Sequence, residues 1–211
     1  MSTFQSPFPG AFATGQSIFD LAQGCYAYEA LVQLARDATI VPDLALGHPV
    51  PVGTISRKDG STHTYDAAAY LTLGNNHPFI APKIRQAWFA GALLTAGDAL
   101  KKGRYFDHGP ELELIYHLRN GIAHGNFFTM TSYGLERLEK HPAFIRVLDG
   151  RGEVFHISPS ENGQRALFGQ RVLFDFMAAA DVIDLLTMAA ERLKDLERGI
   201  LGPGVPTSIF G

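Results

Sequence analysis

Four separate segments of this 211-residue chain repeat their apolar residues at intervals of three and four, the period that returns side chains to one face of an α-helix. Residues 14–37 place Ile18, Leu21, Cys25, Tyr28 and Leu31/Val32 on such a face, with Leu34/Ala35 continuing it. Residues 82–102 open on Pro82, a good first-turn residue, align Ile84, Trp88, Gly91/Ala92, Thr95 and Ala99, and stop at Gly103. Residues 110–125 follow His108-Gly109 and carry Pro110 and Glu111 in their first turn. Residues 170–198 trace a wide stripe through Val172, Phe176, Ala179/Ala180, Ile183, Leu186, Ala190 and Leu193, ended by Gly199. Four such helices with small residues on their faces predict an all-α fold, a four-helix bundle. Gly15 and Gly24 weaken the first helix and suggest a close helix contact near Gly24.

Between these helices lie shorter patterns. Residues 50–65 alternate around Lys58-Asp59-Gly60, and residues 144–157 alternate around Asp149-Gly150-Arg151-Gly152, which predicts two inserted β-hairpins. Residues 132–140 suggest a short helix closed by His141-Pro142, and residues 202–211 a loosely held tail. The length and the 46% apolar content suit one domain with insertions.

A net charge of −3 argues against a basic coat for nucleic acid and leaves room only for a local cleft. The single cysteine, Cys25, excludes an internal disulfide framework and reads as a small buried side chain. Residues 1–12 lack the basic and apolar regions of a signal peptide, and no uncharged apolar stretch reaches spanning length. The expectation is a cytoplasmic protein with no membrane partner.

The third helix carries the chemistry. On a wheel, Leu114, Leu118, Ile122 and Ile115 fall together with Leu112 at the edge, a core-facing arc. Tyr116, Asn120, Glu113, His124 and His117 fall opposite. That second arc lacks lysine and holds two histidines, an amide and a phenol, a composition suited to a cleft or a subunit interface rather than to bulk water. Arg119 lies at the margin of the apolar arc, where a guanidinium must find a partner or reach along the helix. Asn120 and His124 are direct neighbours, whereas Arg119 and His124 stand about 140° apart. Their joint action requires a long reach, a distorted helix end at Gly121 or Gly125, or a second copy of the chain.

Metal-independent RNA cleavage would use such a set. His124 could transfer protons, Arg119 could stabilise charge on the phosphorane, and Asn120 could hold the histidine tautomer or the phosphate. His117 and Tyr116 are secondary candidates on the same face. An arginine followed at short range by a histidine also occurs at Arg57/His63 and Arg151/His156, but both lie in the expected hairpins.

In its context, Leu118-Arg119-Asn120-Gly121-Ile122-Ala123-His124-Gly125 resembles the signature of HEPN domains: an arginine, a polar residue beside it, and a histidine late in the third helix. The resemblance implies a HEPN-like four-helix bundle, a homodimer and a composite cleft with arginine and histidine from both subunits. For active members it implies a metal-independent endoribonuclease, of the toxin or defence-effector kind, with RNA as substrate. A small nucleotidyltransferase-like antitoxin is the partner that the toxin reading expects. The arginine, polar and histidine roles fall on Arg119, Asn120 and His124. The alternative is a non-catalytic HEPN-like module that binds nucleotide, RNA or protein.

Structural roles compete with these. Arg119 could pair with Asp181 or Asp184 on the last helix, His124 could bond the last helix carbonyls, and Asn120 could bridge helices. His63 and His77 lack the spacing of a metal site, so no metal or other cofactor is expected. Gly53, Gly60 and Gly74 form no phosphate-binding loop, and Gly-x-Ser-x-Gly is absent. Trp88 and the phenylalanines are expected to fill the core.

Overall fold

The computed structural model describes residues 8–36, 52–67, 69–70, 77–147, 152–157, 167 and 169–200. The chain is mostly helical with two small antiparallel strand pairs. In order run α1 (Ala11–Arg36), β1 (Val52–Ser56), β2 (Thr62–Asp66), α2 (Ile80–Gly103), a 3-10 turn (Phe106–His108), α3 (Pro110–Ala123), α4 (Ser132–Lys140), β3 (Ala143–Val147), β4 (Gly152–Ile157) and α5 (Ala179–Glu197). The expected tail at 202–211 lies outside the described residues. Contacts divide the chain into two compact units, one of residues 1–25 with 89–211 and one of residues 26–88. No helix among the described residues is long and apolar enough to cross a membrane.

The larger unit is built around α3. Leu112, Leu114, Ile115, Leu118 and Ile122 are all buried, the arc that the wheel assigned to the core. They pack among α5, β3 and the 3-10 turn. Pro110 begins the helix after Gly109, and Glu111 and Glu113 in the first turn suit the positive end of its dipole. The helix stops because Gly125 and Asn126 take positive φ (86° and 70°), and the Gly125 and Asn126 N–H groups fold back to Ile122 O. Buried Asn126 then anchors the return of the chain: its Oδ1 accepts from Leu173 N at 2.9 Å.

That anchor corrects the expected start of the last helix. Residues 170–178 keep helical spacing of apolar residues but are not helical. Their backbone is engaged elsewhere: Phe128 N donates to Gln170 O, and Val172 N to Asn126 O, each at 3.0 Å. The helix begins only at Ala179, where Asp181 Oδ2 accepts from Ala178 N at 2.8 Å. From there Ile183, Leu186, Ala190 and Leu193 are buried as expected.

Close helix contact falls at Gly15 and not at Gly24. A Cβ at Gly15 would stand 2.8 Å from Ala190 O on α5, whereas Gly24 faces open space. Along α1 in this unit, Ala11, Ile18, Ala22 and Cys25 are buried. On α2 the buried stripe is Phe89, Ala92, Leu93, Ala96, Gly97 and Leu100, rotated from the expected face. Alanines and leucines surround this helix, so apolar spacing alone does not choose among its faces.

In the smaller unit, β1 and β2 pair with Val52 opposite Asp66 and Ser56 opposite Thr62. Asp59 Oδ1 accepts from both the backbone N–H and the hydroxyl of Ser61, and Gly60 takes φ +81°, which closes the turn where the sequence placed it. Trp88 stacks on Tyr28 with ring centroids 5.2 Å apart and is 49% exposed, so it does not fill a core. Leu31 and Leu34, expected on the buried face of α1, are exposed as well. The second hairpin, β3 with β4, belongs to the larger unit and carries a bulge between Ala143 and Ile145.

Candidate functional site

The polar arc of α3 opens onto a cavity of about 180 Å³. Tyr116, His117, Asn120 and His124 line it from the helix, so four of the five candidate residues meet in one place. Phe128, Thr129, Met130, Thr131 and Gly134 complete the lining from the following loop and the start of α4. The chain is held there by Thr131, whose Oγ1 accepts from Gly134 N at 3.2 Å and caps α4.

Behind the cavity lies a buried charge cluster that the sequence reading did not foresee. Glu113 is 1% exposed, and Arg137 of α4 donates to both its carboxylate oxygens at 2.6 Å. The Arg137 guanidinium also lies 4.7 Å from the Tyr116 ring centroid, fixing the phenol from behind. Burial opposes charge on Arg137, but the Glu113 bonds and charge outweigh it and leave the guanidinium above its ordinary pKa. His117 Nε2 approaches Glu113 Oε1 to 3.3 Å without the alignment of a hydrogen bond, and it is buried with no hydrogen-bond partner. The signal for Arg137 is faint in sequence, since it and Glu113 are 24 residues apart on different helices.

Arg119 stands outside the cavity lining. Its stem crosses α2 at Gly97, where an added Cβ would lie 2.6 Å from Arg119 Cγ. Its Nε and Nη2 donate to Asp98 Oδ1 at 3.2 and 2.8 Å. The guanidinium thus has a carboxylate partner, but on α2 rather than at Asp181 or Asp184 on the last helix. Its link to the cavity is Nη1, 3.4 Å from Asn120 Oδ1. Asn120 therefore meets Arg119 on its own helix, and among the described residues its side chain makes no bridge to another helix.

His124 is the C-cap of α3 and is exposed. Its backbone N–H donates to Asn120 O at 3.1 Å, while its ring makes no hydrogen bond among the described residues. The expected bonding of helix carbonyls by this ring is absent there. Arg57 and His63, the competing pair in the first hairpin, stand 3.4 Å apart on an exposed surface. Among the described residues no group of three histidine, cysteine or acidic side chains could hold a metal ion. Comparison with known proteins finds no matching family model, no matching curated protein and no matching solved structure.

Proposed function

We propose that the chain is a HEPN-like helical bundle acting as a metal-independent endoribonuclease, at a cleft completed by a second copy. The observation that carries the reading is the meeting of His124, Asn120, His117 and Tyr116 in one cavity, with Arg119 Nη1 tied to it through Asn120 at 3.4 Å. In the reaction the RNA 2′-oxygen bonds to phosphorus, its proton passes to a base, and the 5′-oxygen leaves with a proton from an acid. The products are a 2′,3′-cyclic phosphate and a free 5′-hydroxyl. His124 is exposed and unencumbered for proton transfer, and Arg119 supplies charge to the phosphorane. The Arg119–Asp98 pair is a surface one, with side chains 28% and 62% exposed. Such pairs are worth about 0–1 kcal/mol, so an RNA phosphate can displace the carboxylate. A second copy is one way to bring Arg119 and His124 together, since they diverge by about 140° on the wheel.

The expected result is RNA cleavage in EDTA with cyclic-phosphate ends, abolished by His124→Ala. Intact RNA after incubation with the dimer across about pH 6–8, which brackets the ordinary histidine pKa, overturns the reading. The Asp98 pair favours a second reading, a non-catalytic module that binds nucleotide, RNA or protein with its arginine already neutralised. Binding or dimerisation without cleavage, unchanged in His124→Ala, selects it.

A further inference from the structure

We infer that the cavity on α3 seats a single unstacked nucleobase of the RNA, a neutral planar heterocycle, and not a phosphate; the inference rests on the ribonuclease reading and deepens it. Size limits the occupant first. Pockets for drug-sized ligands begin at about 300 Å³. A cavity of about 180 Å³ admits one ring system and excludes a whole nucleotide.

Charge comes next. No lysine or arginine is among the lining residues. The two nearby guanidinium groups lie outside that lining: Arg137 is held by Glu113, and Arg119, on Asp98, meets the site only at Asn120 Oδ1. An anion inside the cavity would therefore be desolvated with no lysine or arginine in the wall around it, whereas a phosphate outside it can meet Arg119. Uncharged donors and acceptors line it instead, the Asn120 carboxamide and the Thr129 and Thr131 hydroxyls. Phe128, Met130 and the Tyr116 ring supply apolar surface beside them. Single-stranded RNA is read by such sets, through bases splayed out against aromatic groups and hydrogen-bonded at their edges.

His117 closes the wall from α3: it is 4% exposed, and its Nε2 is held 3.3 Å from Glu113 Oε1. The same seat explains why His124 shares the cavity: a base held there places its adjoining phosphodiester at the exposed imidazole.

The test titrates the full chain with the four ribonucleosides, with ribose 5-phosphate and with inorganic phosphate, followed by ligand-observed NMR. At least one nucleoside should bind saturably, and the two phosphate probes should not. Gly134→Leu fills the cavity from α4, where an added Cβ meets only Thr131 Oγ1 at 3.6 Å, and should abolish nucleoside binding. Thr129→Val, an exposed and shape-conserving change, keeps the fold intact and should weaken binding roughly fivefold through a lost hydrogen bond. Phosphate binding as tightly as nucleoside, no nucleoside binding, or binding unchanged in both variants overturns the base seat. Nucleosides that bind while RNA stays intact preserve the seat and sink the ribonuclease reading. RNA cleaved equally fast when its bases are removed does the reverse.

Discussion

Glu113 keeps its carboxylate almost wholly out of water, so its stability depends on Arg137. Removing one partner of a buried pair leaves a desolvated charge, and such losses run to about 3–5 kcal/mol. Arg137→Met should destabilise the fold by about 3 kcal/mol, at the lower end because Arg137 is 18% exposed. Adding Glu113→Gln should restore more than half of that, as read from urea denaturation midpoints at constant slope; equal losses in the single and double variants would count against the pair. A different residue governs pH dependence. Burial holds the His108 imidazole below its ordinary 6.5, with Asp107 opposing the shift and Arg192 and His141 adding to it. A depressed folded-state pKa gives stability that is whole above the unfolded value and lost as pH falls through the folded one. Glu111 works in the other direction, because burial raises it above 4.5 and its contribution is lost as pH rises through the folded value. The loss of stability between about pH 7 and 5.5 should therefore be shallower in His108→Gln than in the parent chain. Thermal melts across that window check it, and parallel curves would exclude His108 as the source.

At the scale of elements, α3 is set by how closely its neighbours approach it at Gly121. A Cβ at Gly121 would lie 2.5 Å from Val172 Cγ2 and 3.2 Å from Phe127 O, where backbone cannot yield cheaply. Gly121→Ala should cost about 1–3 kcal/mol by overpacking, despite alanine's better helix propensity. A stabilised variant in the same denaturation assay would show that the 126–128 and 169–173 segments do not press on the helix as described. These contacts also explain what was legible in the sequence. The core arc of α3 is readable because five large apolar residues share one face and the other face is polar. The stripe of α2 is not readable in the same way, since small apolar residues occupy several of its faces. Residues 170–178 mislead because helical spacing says nothing about backbone groups already bonded to residues 126–128. The cavity was half legible. Its wall on α3 follows from the wheel, while the Thr129–Gly134 wall and the Arg137 support depend on a chain reversal that Asn126 anchors.

For the whole molecule, charge sets the terms on which the proposed RNA substrate would be held. The net charge is −3, and several of the described cations face the protein's own acids. Arg85 faces Glu29, Arg119 faces Asp98, Arg137 faces Glu113, Arg192 faces Glu111, Lys194 faces Glu191 and Arg198 faces Asp195. A net charge of −3 argues against affinity drawn from a broad counterion-releasing surface. If Arg119 from each of two copies engages one phosphate, two phosphates are neutralised. Single strands give a slope of about −0.7 in log affinity against log salt for each, so the total is about −1.4. A tenfold rise in salt should then weaken oligoribonucleotide binding by about 25-fold, measured by fluorescence anisotropy on the His124→Ala variant. Arg119→Ala in the same background should flatten the slope towards zero. A loss of a thousandfold or more over that salt range would mean that RNA lies along a basic surface elsewhere, and the local cleft on α3 would not be where its backbone is held.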